Sequence, residues 1–129
     1  WQVSECRSGT ELLPKSGETL AESLVDLSAD DVLVVFAIRR IVPSMSAVLD
    51  LTTSMKCRTL IICDQFFHTP AKATWLLKCA TRSPSPLDNH VSVLLLCHII
   101  ADELLQSLDA KGRKRLVAIE DMHLMLGEM

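Results

Sequence analysis

Two adjacent guanidinium groups, Arg39 and Arg40, close the run Asp31-Val-Leu-Val-Val-Phe-Ala-Ile, and they are the residues of this chain with the most distinct chemistry to offer. A guanidinium is permanently charged and grips phosphate or carboxylate through paired hydrogen bonds. A second apolar run, Thr59-Leu-Ile-Ile-Cys63, ends in Asp64. The interval between the two runs fits one helix, so together they read as a β-α-β unit. In open α/β sheets, ligands sit beyond the carboxyl ends of the strands, which puts Arg39, Arg40 and Asp64 where a ligand would lie. Charges at the end of a buried strand must be solvated or paired. Ligand contact and a salt bridge to Asp64, Asp88 or a partner subunit are therefore equally open for the two arginines. Asp64 has the same choice between a ligand, an arginine and capping the turn that follows it.

Other polar groups fall near the same end. Ser44 and Ser46 open the crossover helix and offer hydroxyl donors. Thr69 precedes Pro70, where it either donates to a ligand or caps the short turn that the proline starts. Asp88 and Asn89 precede a long apolar stretch; one reads as the N-cap of that helix and the other as facing the cleft. The four histidines are scattered without HExxH-type spacing, so neither a metal nor another cofactor is expected. Cys97 and His98 adjoin, but neighbouring helical residues point about 100° apart and do not form a nucleophile pair. A core histidine and an inert core thiol are the expectation there, and His68, in a loop, is the better contact candidate.

The elements that must carry these groups follow from periodicity. Gln2 to Cys6 reads as a short strand. Leu20, Leu24 and Leu27 recur at helical spacing, with Ser16 as the expected cap. Pro43 to Met55 sets Met45, Val48, Leu49, Thr52 and Met55 on one helical face, the crossover that the β-α-β unit needs. Trp75 to Cys79 is too short for a helix and reads as a third strand. Ser83-Pro84-Ser85-Pro86 can extend neither a helix nor a central strand. Asp88 to Leu108 reads as one long helix, apolar nearly all round in its first half and so expected in the core or against a subunit. Gly112 breaks the pattern before a final amphipathic helix through Leu126. This divides a single domain into 1–28, an N-terminal strand and helix; 29–82, the β-α-β core; 83–109, loop and long helix; and 110–129, the C-terminal helix.

At 129 residues and 49% hydrophobic content the chain supports one domain with a single core. Its apolar runs are interrupted by Asp, Arg, Lys or Pro, so a soluble protein is expected. The formal net charge of -3 argues against nucleic-acid binding by this chain alone, and the basic cluster Lys111, Arg113, Lys114 and Arg115 reads as a solvated helix start or partner contact. Five cysteines without a CxxC pair read as reduced core residues of a cytoplasmic protein. The sequence starts at Trp1 without a leader pattern and reads as a fragment.

The order of strand, crossover helix, strand, Pro turn, strand and long helix resembles the sugar isomerase (SIS) domain, in particular that of RpiR-type bacterial transcriptional regulators. The resemblance rests on three pieces. They are Asp31-Val-Leu-Val-Val-Phe-Ala-Ile-Arg39-Arg40, then Leu60-Ile-Ile-Cys-Asp64 with His68-Thr69-Pro70, and Ser85-Pro86-Leu87-Asp88-Asn89 leading into the long helix. It implies an α/β fold, a three-layer α/β/α sandwich with a mostly parallel sheet, here a truncated copy lacking the first strand-helix unit. It also implies a cytoplasmic domain that binds a phosphorylated sugar or amino sugar, forms a homodimer or homotetramer, and acts on DNA only through an N-terminal helix-turn-helix domain outside this chain.

One departure bears on mechanism. The phosphate loop of SIS domains typically reads Ser-x-Ser-Gly-x-Thr, with hydroxyls and backbone N–H groups at a helix N-terminus holding the anion. Here the matching positions run from Phe36 to Ile41, and Phe36, Ile38 and Ile41 have no hydroxyl. Arg39 and Arg40, with Ser44, would then supply the affinity. A non-enzymatic sensing domain is the resulting expectation, with Arg39, Arg40, Ser44, Asp64, Thr69, Asp88 and Asn89 as ligand-binding candidates. A sugar-phosphate isomerase is the alternative from another class, but an enediol mechanism needs a placed base, and the strand ends offer no glutamate. A dimerisation scaffold that has lost its ligand is the third reading.

Overall fold

In a computed structural model of the chain, residues 1–39, 42–68 and 73–128 are described. Three strands, β1 (Val32–Ala37), β2 (Arg58–Asp64) and β3 (Trp75–Cys79), form a parallel sheet in the order β1-β2-β3. Val35 lies beside Ile61 and Ile61 beside Leu76. Parallel neighbours need a crossover, and α3 (Ser44–Ser54) supplies it between β1 and β2. The three strands and α3 fall where the apolar periodicity places them.

Alternation sorts the sheet into two faces. Ala37, Ile61 and Cys63 share one face and are buried with Leu49 of α3 and Phe67, forming the main core cluster. On the other face Ile62 is also buried, so the central strand is covered on both sides. The run in β1 predicts a strand buried on both faces, yet its burial alternates, and Val32, Val34 and Phe36 are exposed. The reason is position: β1 is an edge of the sheet. Helix α2 (Leu20–Leu24) starts at Thr19, not Ser16, and Leu27 lies beyond it. Glu22 stands three residues after Thr19, and the two form a reciprocal capping box: the Thr19 hydroxyl accepts from the Glu22 N–H, and the Glu22 carboxylate accepts from the Thr19 N–H. Ser16 has only Thr19 at that spacing and cannot make the return bond.

By contact density the chain divides into two units, Thr19–Val93 with the sheet, and Trp1–Glu18 with Leu94–Met129. In the second unit, α1 (Gln2–Cys6) is a helix where a strand is expected. Over five residues alternation and helical spacing look alike, and burial of Cys6, whose thiol points at the Ala101 carbonyl, favours the turn. Arg115 donates to the Ser4 carbonyl from Nε and a terminal nitrogen, at 3.2 and 3.1 Å.

Helix α4 (Val91–Leu126) is interrupted at Asp109, with φ 49 and ψ -124, rather than at Gly112. Gly112 is helical and serves packing: a Cβ there would sit 2.9 Å from Leu105 Cδ1 and 3.2 Å from Leu108 Cβ. The first part of α4 is not a core helix. Leu94, Leu95 and Ile99 are exposed, Cys97 is half-buried, and His98 is exposed, its Nδ1 3.3 Å from Gln2 Nε2. Contrary to the expectation from the interrupted runs, α4 is also long and apolar enough to cross a membrane by length and composition, with a mean hydropathy of 1.6 over its most apolar window.

Candidate functional site at the carboxyl edge of the sheet

Three loops leave the carboxyl edge, and their side chains and backbone meet in a closed circuit. Arg39, two residues beyond β1, adopts φ 68, the left-handed region that side chains other than glycine's seldom occupy. Its backbone N–H donates to Asp64 Oδ2 at 3.3 Å. Asp64 closes β2, and its other oxygen, Oδ1, accepts the N–H of Phe66 at 2.7 Å. Both carboxylate oxygens therefore hold backbone. The Phe66 ring carries Arg82, whose guanidinium carbon lies 4.4 Å from the ring centroid. Next to Arg82, the Thr81 carbonyl accepts the N–H of Asn89 at 2.9 Å. Asp88, beside Asn89, returns to Arg39: its Oδ2 is 3.0 Å from Arg39 Nε.

That last contact is an ion pair by distance but not a hydrogen bond by direction, because the buried Oδ2 has no hydrogen-bond donor among the described residues. The two charges still attract, since Coulomb attraction needs proximity rather than alignment. With the Arg39 side chain 58% exposed, water screens the pair and limits its worth.

The structure thus brings Arg39, Asp64, Asp88 and Asn89 together. Asn89 also prepares α4, its Oδ1 accepting the Val91 N–H at 2.9 Å, while the Ser92 hydroxyl donates to the Ala80 carbonyl. Of the two alternatives for Arg39, the geometry displays the salt bridge to Asp88. Ser44 is the first residue of α3, where it lines an apolar groove of about 220 Å³ with Leu20, Leu24, Ala47, Val48 and Leu51. Arg40 and Thr69 lie outside the described residues. Two members of the circuit, Phe66 and Arg82, escape the reading of the sequence; the available signal is an arginine three residues past a strand that ends on the ligand side.

Arg82 differs electrostatically from Arg39. No carboxylate pairs with it among the described residues, and stacking on a ring consumes none of its N–H donors. The cysteines offer no nucleophile here: burial pushes the Cys63 thiol above its ordinary pKa, and the nearby Lys78 only partly offsets this. Burial raises Cys57 as well. Among the described residues no group of three or more His, Cys, Asp or Glu is placed to hold a metal ion.

No protein-family model matches the chain, and no curated protein matches it. Among solved structures it is similar to the sugar isomerase domain of the RpiR transcription factor from Sphaerobacter thermophilus, with a TM-score of 0.69 and 20% identity over 81% of this chain. The chain spans 59% of the length of that structure. The α/β architecture with its parallel sheet is therefore that of a sugar isomerase domain.

Proposed function

We propose that this chain is the phosphosugar-sensing domain of an RpiR-type transcriptional regulator, without catalytic activity of its own. The observation that carries the reading is the circuit of Arg39, Asp64, Phe66, Arg82 and Asp88 at the carboxyl edge of a sheet with this fold, the edge where α/β domains take ligands. A guanidinium in that circuit without a carboxylate partner among the described residues, that of Arg82, favours an anionic ligand, and a phosphorylated sugar or amino sugar meets that demand. In this reading the protein is cytoplasmic and a homodimer or homotetramer, and ligand binding changes the geometry of attached helix-turn-helix domains. The isomerase alternative lacks support at the site: no glutamate stands in the circuit.

A scaffold that has lost its ligand is the second reading, favoured by one observation, the occupation of Arg39 by Asp88. Thermal unfolding with a panel of aldose, ketose and amino-sugar phosphates separates the two. A ligand at a hundred times its Kd stabilises the native state by about 2.7 kcal/mol, a shift of several degrees in the midpoint. A rise with one or more of the panel is expected; an unmoved midpoint with all of them would leave the scaffold.

A further inference from the structure

We infer that Arg82, held on the face of Phe66, is the group that receives the anionic end of the ligand, a phosphate monoester, while Arg39 serves as a strut between β1 and the loop before α4. The inference rests on the sensing function proposed above and assigns the charge recognition within it.

Every cation at the carboxyl edge must be weighed by what already neutralises it. Arg39 has Asp88 at 3.0 Å, so a phosphate arriving there would have to displace a carboxylate whose Oδ2 is buried and has no hydrogen-bond donor to fall back on. The backbone amides nearby are also committed. The N–H groups of Arg39 and Phe66 both donate to Asp64 and are not open to an external anion. The domain has in effect filled that nest with its own carboxylate. A negative ligand at this position would meet Asp64 head-on.

Arg82 has none of these encumbrances. It is exposed, it has no carboxylate partner among the described residues, and its one specific contact is with a π face. A cation over a ring keeps its N–H donors available, and a guanidinium has five in a fixed fork suited to two oxygens of one phosphate. The ring also restricts the side chain before the ligand arrives, which lowers the ordering cost of binding. Its backbone is anchored too: Thr81 is buried and its carbonyl accepts from Asn89. Phe66 is in turn fixed by its N–H bond to Asp64, so the aromatic platform is a positioning residue built into the same circuit.

The experiment compares wild type with Arg82→Gln, Arg82→Lys, Phe66→Leu and Arg39→Gln, by calorimetric titration and thermal unfolding with inorganic phosphate, glucose 6-phosphate and glucosamine 6-phosphate. Wild type is expected to bind at least one sugar phosphate. Arg82→Gln should weaken that affinity at least tenfold with the unliganded midpoint unchanged. Arg82→Lys keeps the charge but loses the fork and should fall in between, which also covers misfolding of the Gln variant. Phe66→Leu should cost a few-fold, and Arg39→Gln should lower the unliganded midpoint while leaving affinity within about twofold. If wild type binds and Arg82→Gln binds equally well, the assignment to Arg82 is overturned and the sensing function stands. If wild type binds none of the three probes, the assignment falls together with the sensing function for these sugars.

Discussion

The left-handed backbone at Arg39 makes an unusual order of stabilities testable. Consider Arg39→Gln and Arg39→Gly. Both delete the ion pair to Asp88, and because the Arg39 side chain is 58% exposed that loss is discounted to about 1 kcal/mol or less in each. The glutamine keeps a Cβ at φ 68, and a side-chain-bearing residue in that region costs about 1–2 kcal/mol relative to glycine. Glycine removes this strain and gives back about 0.5–1 kcal/mol through the greater freedom of its unfolded chain. The net places Arg39→Gly about 0.5–1 kcal/mol above Arg39→Gln in stability, although glycine removes every side-chain contact. With a urea slope of about 2 kcal/mol per molar, the midpoints should differ by about 0.3–0.5 M. Fluorescence of Trp75, in β3 of the same unit, follows the transition. Equal midpoints, or the glycine variant melting first, would refute the assignment of strain to this residue and with it the view that Arg39 is held by its neighbours.

Three further outcomes follow from the packing. Ile61, fully buried at the centre of β2 in the main cluster, should lose about 2–5 kcal/mol on replacement by alanine, measured by urea unfolding, and a loss under 1 kcal/mol would mean that the core lies elsewhere. Gly112→Ala sets a helix-propensity gain of about 1 kcal/mol against a Cβ only 3.2 Å from Leu108 Cβ, an atom that cannot move without its backbone. Crowding should win and lower the thermal midpoint, whereas a rise would show that the two segments can part at no cost. Glu22 has its pKa lowered, chiefly by the side-chain hydrogen bond from Thr19 and then by the backbone one. The folded value lies below the unfolded one, so the capping box contributes above the ordinary glutamate range and is lost as pH falls through the folded pKa. An NMR titration of the Glu22 carboxyl should show this depression, and Thr19→Ala, which removes the hydroxyl but keeps the backbone N–H, should reduce it.

The sheet was legible because its strands are signalled locally. Val32–Ala37 and Arg58–Asp64 are apolar runs bounded by charge, whereas the five residues of β3 match the length of helices α1 and α2, so length alone does not set it apart from a helix. The interval between β1 and β2 then demanded α3. What local pattern cannot supply is which face of a strand remains open, and the alternating exposure of β1 follows from its place at the sheet edge. The break in α4 escaped for a related reason. Glycine at position 112 is the conspicuous helix breaker, but its missing Cβ is used for the approach of Leu105 and Leu108, while the turn falls on Asp109. At the site, Arg39 was visible as a charge in need of a partner, with Asp88 among the alternatives. Phe66 and Arg82 were not, because their contact joins two loops that only the pairing of β2 with β3 brings side by side.

The circuit also supplies an acceptor to the Arg39 amide where the chain leaving β1 carries no hydroxyl. In a Ser- and Thr-rich loop at a helix N-terminus, hydroxyls and backbone N–H groups can converge on a bound anion. Here Phe36 and Ile38 can contribute nothing to an anion, and the amide of Arg39 would be left without an acceptor. Asp64 supplies one from the neighbouring strand, and with its second oxygen it fixes Phe66. The amides of Arg39 and Phe66 are thereby satisfied within the chain, at the expense of any room for a second negative charge beside them. A domain that still answers to a phosphate must then meet it at a cation outside the nest, and the guanidinium on Phe66 meets that condition: it shares the edge, it is exposed, and no carboxylate among the described residues competes for it. Replacing Asp64 by asparagine therefore separates structure from recognition: the amide keeps one acceptor oxygen but sets an NH2 donor against the other backbone N–H, so stability should fall by about 1–3 kcal/mol with the fold retained, while removal of the internal charge should tighten phosphate binding rather than abolish it. Loss of binding in a folded Asp64→Asn protein would show instead that the carboxylate is part of the ligand's own contacts.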